Sequence, residues 1–187
     1  MGLFRFGQRP EVLSAAMAGV KLGDRVLFAG TGDVTLVTEL AARAGLSGRT
    51  VSLAGDGATA EQRVRLIEKG GALAEAAHAP LDMLPFDSSS FDIAVAEETL
   101  LALPDLTRRG AMAELFRVLR PGGRLLWIER QPRAGLFRLA PDSRDVPDAA
   151  ARERALSEAG FRGVRTLAAA EGRSYVEGIK ASSESAS

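Results

Sequence analysis

Apolar residues run along the chain in two rhythms. Short unbroken apolar runs of strand length occur at residues 25–29 (RVLFA), 50–53, 91–96 (FDIAVA) and 124–129 (RLLWIE). Between them, apolar residues return at helical spacing over 34–44, 58–69, 106–119 and 149–159. In the 58–69 helix, Val64 and Ile67 are expected to point inward and the charges outward. Pro10 opens a shorter helix over 10–20, with Leu13, Met17 and Val20 on one face. A weak strand is predicted over 72–77, and two late strands over 164–168 and 174–180. Gly45 and Gly48, Gly70-Gly71, Pro121-Gly122-Gly123 and Gly160 stop the helices. Strands and helices thus alternate, which predicts an α/β domain with a mostly parallel, doubly wound sheet and helices on both faces. The long irregular stretch is 130–148, which carries Arg130, Arg133, Arg138 and Arg144 beside Leu136, Phe137 and Leu139. Loops of that length in compact domains are often functional.

Composition narrows the classes. The chain has 187 residues with 24 basic and 24 acidic side chains, so it lacks the basic excess of a dedicated nucleic-acid binder. It has no cysteine and one histidine. Disulfides, thiolate zinc sites, cysteine nucleophiles and multi-histidine metal sites are therefore excluded. No apolar run reaches the ~18 residues of a membrane helix, and the N-terminus has no apolar signal core. These features predict a cytoplasmic protein whose single domain spans 1–180, followed by a disordered Ser/Ala/Glu tail at 181–187. Phe4 and Phe6 are expected to pack on the same domain, with a sticky arm as the other reading. A homodimer is a further expectation.

The first strand runs into Ala29-Gly30-Thr31-Gly32-Asp33 and then a helix. A Gly-x-Gly turn at this place lets backbone approach a nucleotide ligand closely. The third glycine of a dinucleotide fingerprint is absent, since Val34 stands there. Further along, Leu84-Pro85-Phe86 precedes Ser90-Phe91-Asp92, and Arg117-Val118-Leu119-Arg120-Pro121-Gly122-Gly123 follows about 30 residues later. On these segments the chain resembles the class I S-adenosylmethionine-dependent methyltransferases, most of all their small-molecule, quinone-methylase-like branch. The resemblance runs from about Val20 to Lys180. It implies a seven-stranded sheet in the order 3-2-1-4-5-7-6, with Tyr175-Val176-Glu177-Gly178 in a final antiparallel strand. It also implies S-adenosylmethionine as cofactor and a small-molecule substrate.

Several polar positions that the resemblance leads one to expect are replaced. The acidic residue ending the first strand is Phe28, the one ending the second strand is Ala54, and the adenine-binding Asp is Pro80. Losing two charge-assisted hydrogen bonds costs about 3–6 kcal/mol. Asp56 and Asp82 stand nearby as substitutes, although Asp56 equally suits the turn between Gly55 and Gly57. The expected cofactor contacts are then Ala29, Gly30, Thr31, Gly32, Asp33, Asp56, Asp82 and Glu97, with no metal and no assigned catalytic residue. Glu97 and Glu98 follow the fourth strand at the ligand edge, where one of the pair is as well suited to capping the next helix. His78 is read as a surface loop histidine, with a general base as the other reading, and Trp127 as core. Glu129 and Arg130 are expected on the substrate side. Arg133, Arg138 and Arg144 suit an anionic substrate or a solvated loop. Two functions follow: a methyltransferase of small molecules, or a non-catalytic relative that serves as a binding or assembly module with a protein partner. A nicotinamide-dependent oxidoreductase fits less well, for want of the third glycine and of an acid ending the second strand.

Overall fold

A computed structural model describes residues 10–31, 34–131 and 148–182. In chain order the elements are α1 (Pro10–Ala18), β1 (Arg25–Gly30), α2 (Val34–Ala44), β2 (Arg49–Ala54), α3 (Gly57–Lys69) and β3 (Glu75–His78). They continue with β4 (Phe91–Glu97), α4 (Asp105–Val118), β5 (Leu119–Arg130), α5 (Ala149–Glu158), β6 (Arg162–Ala170) and β7 (Arg173–Ile179). All seven strands form one sheet in the order β3-β2-β1-β4-β5-β7-β6. β1 to β5 pair in parallel, while β7 runs antiparallel to both β5 and β6. The strand order and the antiparallel last strand agree with the expectation.

Alternation along the strands builds two cores. Leu27, Ala29, Ala94, Leu125 and Trp127 face α4 and α5, where they meet Leu115 and Leu156. Val26, Phe28, Val95, Leu126 and Ile128 face the other way, onto Ala15 of α1, Leu36 and Leu40 of α2, and Ile67 of α3. Because β1 and β4 are covered on both faces, their sequences read as unbroken apolar runs.

Two expected boundaries and one expected orientation shift, each for a physical reason. The third strand is Glu75–His78 rather than 72–77, because Ala72 is a buried residue of the loop after α3 and only the later residues pair with Val51–Ala54 of β2. β5 begins at Leu119, ahead of the Pro-Gly-Gly turn. Leu119 pairs with Phe91, and pairing resumes with Arg124 opposite Ile93, so residues 120–123 form a bulge with Gly122 at φ 76°. The bulge brings Arg120 onto Asp92. In α3 the inward residues are Ala60, Arg63 and Ile67, with Val64 only half-buried. The expected outward placement of Arg63 is thereby overturned.

The Leu84–Phe86 segment and the end of α4 are clasped together. Arg117 Nη1 donates to the Phe86 carbonyl (2.8 Å) and Nη2 to that of Leu84 (3.1 Å). Glu114 accepts from Arg117 Nε (2.7 Å) and from the Leu84 N–H (2.7 Å). Lys180 Nζ donates to the carbonyls of Phe116, Arg117 and Leu119, which closes the open C-terminal end of α4. Leu84, Phe86, Arg117 and Leu119, from the segments that carried the resemblance, are parts of this clasp.

Candidate functional site

β1 ends at Gly30 and α2 starts at Val34, so the expected Gly-x-Gly turn is the strand-to-helix connection. Gly32 and Asp33 lie outside the described residues. Val34 is the first residue of α2, and its side chain packs on the α1–α2 core rather than over the turn. Gly30 is needed sterically: a Cβ there would stand 2.6 Å from Phe28 Cζ and 3.1 Å from Glu97 Cβ. Thr31 ties the turn to the end of β4, its N–H donating to Glu97 O (3.2 Å) and its hydroxyl to Glu98 O (3.1 Å).

Beside this turn lies an open cleft of about 450 Å³, at the C-terminal ends of β1 to β4. Here the chain leaves β1 toward β2 and β4 toward β5, the point of an open α/β sheet at which ligands bind. Ala29, Leu53, Ala79, Leu81 and Leu103 give the cleft apolar walls. Thr31, Thr59, Thr99, Thr107, Asp82 and Arg63 supply its polar groups.

Ala54 and Pro80 line the cleft, so two of the three replaced positions face it. Phe28 does not. It is fully buried on the opposite core, with its ring tucked under Gly30. Asp56 caps α3, accepting from the Thr59 N–H at 2.9 Å, and this bond holds its carboxyl below the usual range. Asp56 is not a lining residue. Asp82 is, and Gly110 of α4 gives it room, since a Cβ on that glycine would meet Asp82 Cβ at 3.0 Å. His78 is exposed at the end of β3, against Gly57.

Glu97 turns away from the cleft. It is 1% exposed and accepts from Arg173 Nη1 at 2.8 Å, and Arg173 Nη1 also reaches Ser14 Oγ (3.3 Å). Glu98 sits at φ 50°, an uncommon conformation for a side-chain-bearing residue, and accepts from the exposed Arg130 at 2.7 Å. On the α4–α5 face, Trp127 is core as expected. Its indole N–H donates to Glu129 (2.8 Å), whose carboxyl burial pushes up in pKa. Arg152 of α5 lies over the Trp127 ring and bonds Ser174. Arg133, Arg138 and Arg144 lie outside the described residues, as do Phe4, Phe6 and residues 183–187.

Arg63 is the site residue that the sequence reading missed. It is 8% exposed, and its Cζ lies 5.9 Å from the Phe28 ring centre. Nη1 donates to Leu53 O at 3.3 Å. Burial lowers its pKa, and the negative charge of Glu97 partly offsets this. One signal was available: Ala60, Arg63 and Ile67 share a helix face at i, i+3 and i+7.

The sheet order, the antiparallel β7 and a glycine turn opening this cleft together define a class I methyltransferase fold. Comparison with known proteins agrees. Residues 27–127 match the family model of the methyltransferase domain. The ubiquinone/menaquinone biosynthesis C-methyltransferase UbiE of Azotobacter vinelandii is 36% identical over 134 residues, covering 68% of this chain and 49% of that protein. UbiE of Hahella chejuensis is 37% identical over 134 residues, covering 69% and 51%. Among solved structures, a SAM-dependent methyltransferase from Aquifex aeolicus superposes with a TM-score of 0.77 at 20% identity, covering 91% of this chain and 89% of that one. The cyclase SpnF superposes at 0.71 and 17% identity, covering 92% and 80%. The chain belongs to the methyltransferase-domain family. It spans about half the length of the curated relatives it matches.

Proposed function

We propose that the chain is an S-adenosylmethionine-dependent methyltransferase acting on a small molecule. The observation that carries this reading is the open cleft beside Gly30 and Thr31, at the ligand edge of a sheet of this family. The residues present suit the cofactor. Leu53, Ala79 and Leu81 offer apolar surface to a base, Gly55 leaves its surroundings open, and Thr59 and Asp82 offer polar partners. Bound S-adenosylmethionine would supply a methyl group on a sulfonium. The chain's own part is placement: the Thr31 bonds to the end of β4 hold the turn, and the apolar walls offer the ligand a surface to pack on. Correct placement of two reactants supplies much of the rate in a direct displacement, so no side chain is assigned as a base.

The relatives named for ubiquinone and menaquinone biosynthesis favour an acceptor of that aromatic, small-molecule kind. No helix among the described residues is long and apolar enough to cross a membrane, which suits a cytoplasmic domain that meets a small substrate. The alternative of a non-catalytic module rested on the lost acidic contacts. Those replacements leave the cleft open, since Phe28 is turned away and Ala54 and Pro80 are small or flat.

Calorimetric titration with S-adenosylmethionine and S-adenosylhomocysteine tests the reading, with NAD as control. We expect dissociation constants of roughly micromolar, about −8 kcal/mol. Absence of binding at ~1 mM, where the free energy is only about −4 kcal/mol, overturns it and turns the search toward a protein partner or a homodimer.

A further inference from the structure

The cleft wall between β4 and α4 hangs from β5 at two points. Glu98 N–H donates to the Ile128 carbonyl (2.9 Å), and Leu101 N–H donates to the Glu129 carboxyl (3.4 Å). The first is a backbone bond that any side chain at 128 allows. The second exists only because residue 129 carries an acceptor. The segment so held, 98–103, begins at Glu98, whose carbonyl accepts from the Thr31 hydroxyl of the glycine turn. It ends at Leu103, whose carbonyl accepts from Arg108 Nη2 of α4 at 3.1 Å. Thr99 and Leu103 line the cleft on either side of Leu101. Glu129 is not a lining residue, so its route to a ligand runs through this segment.

The buried Glu129 carboxyl is closely placed. Trp127 Nε1 donates to Oε1, the same oxygen that Leu101 uses, and Oε2 takes no hydrogen bond among the described residues. Burial pushes the carboxyl above the ordinary carboxylate range, and Glu98, itself paired with Arg130, pushes the same way. The two N–H donors and the positive charge of Arg152 oppose this. Arg152, in the first turn of α5, is buried over the Trp127 ring. Its Nη2 donates to Ser174, while Nε and Nη1 are buried with no hydrogen-bond partner among the described residues. Its charge therefore acts on Glu129 through space. On α4, Arg108 and Asp105 bond each other at the far end of the wall. An ionised oxygen accepts N–H bonds more strongly than a neutral acid does, so the charge of Arg152 supports the hold on Leu101.

We propose that Glu129 is a positioning residue for the cleft: as a carboxylate sustained by the charge of Arg152, it holds segment 98–103 in its ligand-binding arrangement through Leu101. The proposal rests on the cleft being the cofactor site, as the proposed function requires, and it adds what fixes the wall between β4 and α4.

The test is calorimetry and tryptophan fluorescence on the full chain with S-adenosylhomocysteine, together with amide exchange of Leu101 in the ligand-free protein. Trp127 is the single tryptophan and bonds the same oxygen as Leu101, so its signal reports that carboxyl. Glu129→Leu is expected to weaken S-adenosylhomocysteine binding about tenfold and to speed Leu101 exchange by at least as much. Glu129→Gln keeps an oxygen for both N–H groups and sets its NH2 where Oε2 is unbonded, so affinity should return to within about threefold. In the unaltered chain, affinity should fall as pH falls through the Glu129 value, in step with a change in Trp127 fluorescence. Both changes should vanish in Glu129→Gln. Arg152→Met should move their midpoint to higher pH, because a positive charge that favours the carboxylate is gone. Asp82 in the cleft and the exposed His78 are common to all forms and cancel in the difference between profiles. Unchanged affinity in Glu129→Leu overturns the proposal, as does a Gln variant no better than the Leu one. Identical pH profiles with Glu and Gln at 129 overturn it too, and these profiles decide the matter if Glu129→Leu fails to fold. Absence of S-adenosylhomocysteine binding to the unaltered chain overturns the proposed function. The hold on the wall is then decided by Leu101 exchange, which overturns it if Glu129→Leu leaves the rate unchanged.

Discussion

Two arginines on helices at opposite faces of the sheet have opposite surroundings. In the clasp between Leu84–Phe86 and α4, Arg117 gives its donors to two backbone carbonyls and to Glu114, and Glu114 in turn accepts a backbone N–H. In the cleft, on α3 at the other face of the sheet, Arg63 bonds a single carbonyl and faces open volume. A nearly saturated network serves the fold, because four of the five donors on Arg117 are already matched within the chain. Holding a guanidinium largely out of water with a single hydrogen bond costs the folded state desolvation energy. The difference separates a residue that ties the fold together from one that faces the cleft.

The sharpest way to break the comparison is to remove the saturated arginine. Arg117→Ala leaves the Leu84 and Phe86 carbonyls and Glu114 without their partner, and should lower stability by about 2–3 kcal/mol in urea unfolding. Adenosine-ligand affinity of the folded fraction should be unchanged. A loss below about 0.5 kcal/mol would mean that the clasp is a surface pair and not a part of the fold.

A smaller effect should appear with pH. The Arg117 hydrogen bond holds the Glu114 carboxyl below its ordinary value. A carboxylate lowered in the folded state adds stability that is present above the unfolded pKa of about 4.3 and is lost as pH falls through the folded value. Acid unfolding curves of Glu114→Gln should therefore separate most from those of the unaltered chain above about pH 5 and converge only once pH falls below the lowered folded value. Parallel curves across that window would show that the pair contributes no proton-linked stability.

The smallest effect should come from the unsaturated arginine. Arg63→Met exchanges a desolvated charge with one hydrogen bond for an apolar side chain of similar reach, against the same Phe28 ring. Such exchanges are often neutral or stabilising. The expected change in unfolding free energy is within about 1 kcal/mol. A destabilisation as large as that of Arg117→Ala would place Arg63 in the structural network and remove the contrast.

Much of the fold was legible in the chain. Apolar runs between glycines marked β1, β2, β4 and β5, because strands covered on both faces must be apolar throughout. The Leu-Pro-Phe and Arg-Val-Leu-Arg-Pro-Gly-Gly segments are distinctive in sequence, and Leu84, Phe86, Arg117 and Arg120 in them hold specific partners. β3 was harder to place, since its residues are mostly exposed and carry no alternation. The bulge at 120–123 was hidden too, because Pro-Gly-Gly reads as a turn whether or not pairing resumes beyond it.

At the site, the sequence by itself determined the glycine turn, the missing acids at Ala54 and Pro80, and Asp82 as a polar neighbour of the cleft. Those are statements about which chemical groups exist at positions set by short-range spacing. Only the tertiary structure decided where the charged groups point. Phe28 faces away from the cleft because strand alternation sends it to the α1–α2 core, Glu97 turns to Arg173 from a strand near the end of the chain, and Arg63 turns inward with Ala60 and Ile67. Each of these depends on contacts between residues distant in sequence, and burial can hold a charge inside only where those contacts, or a ligand, make it worthwhile.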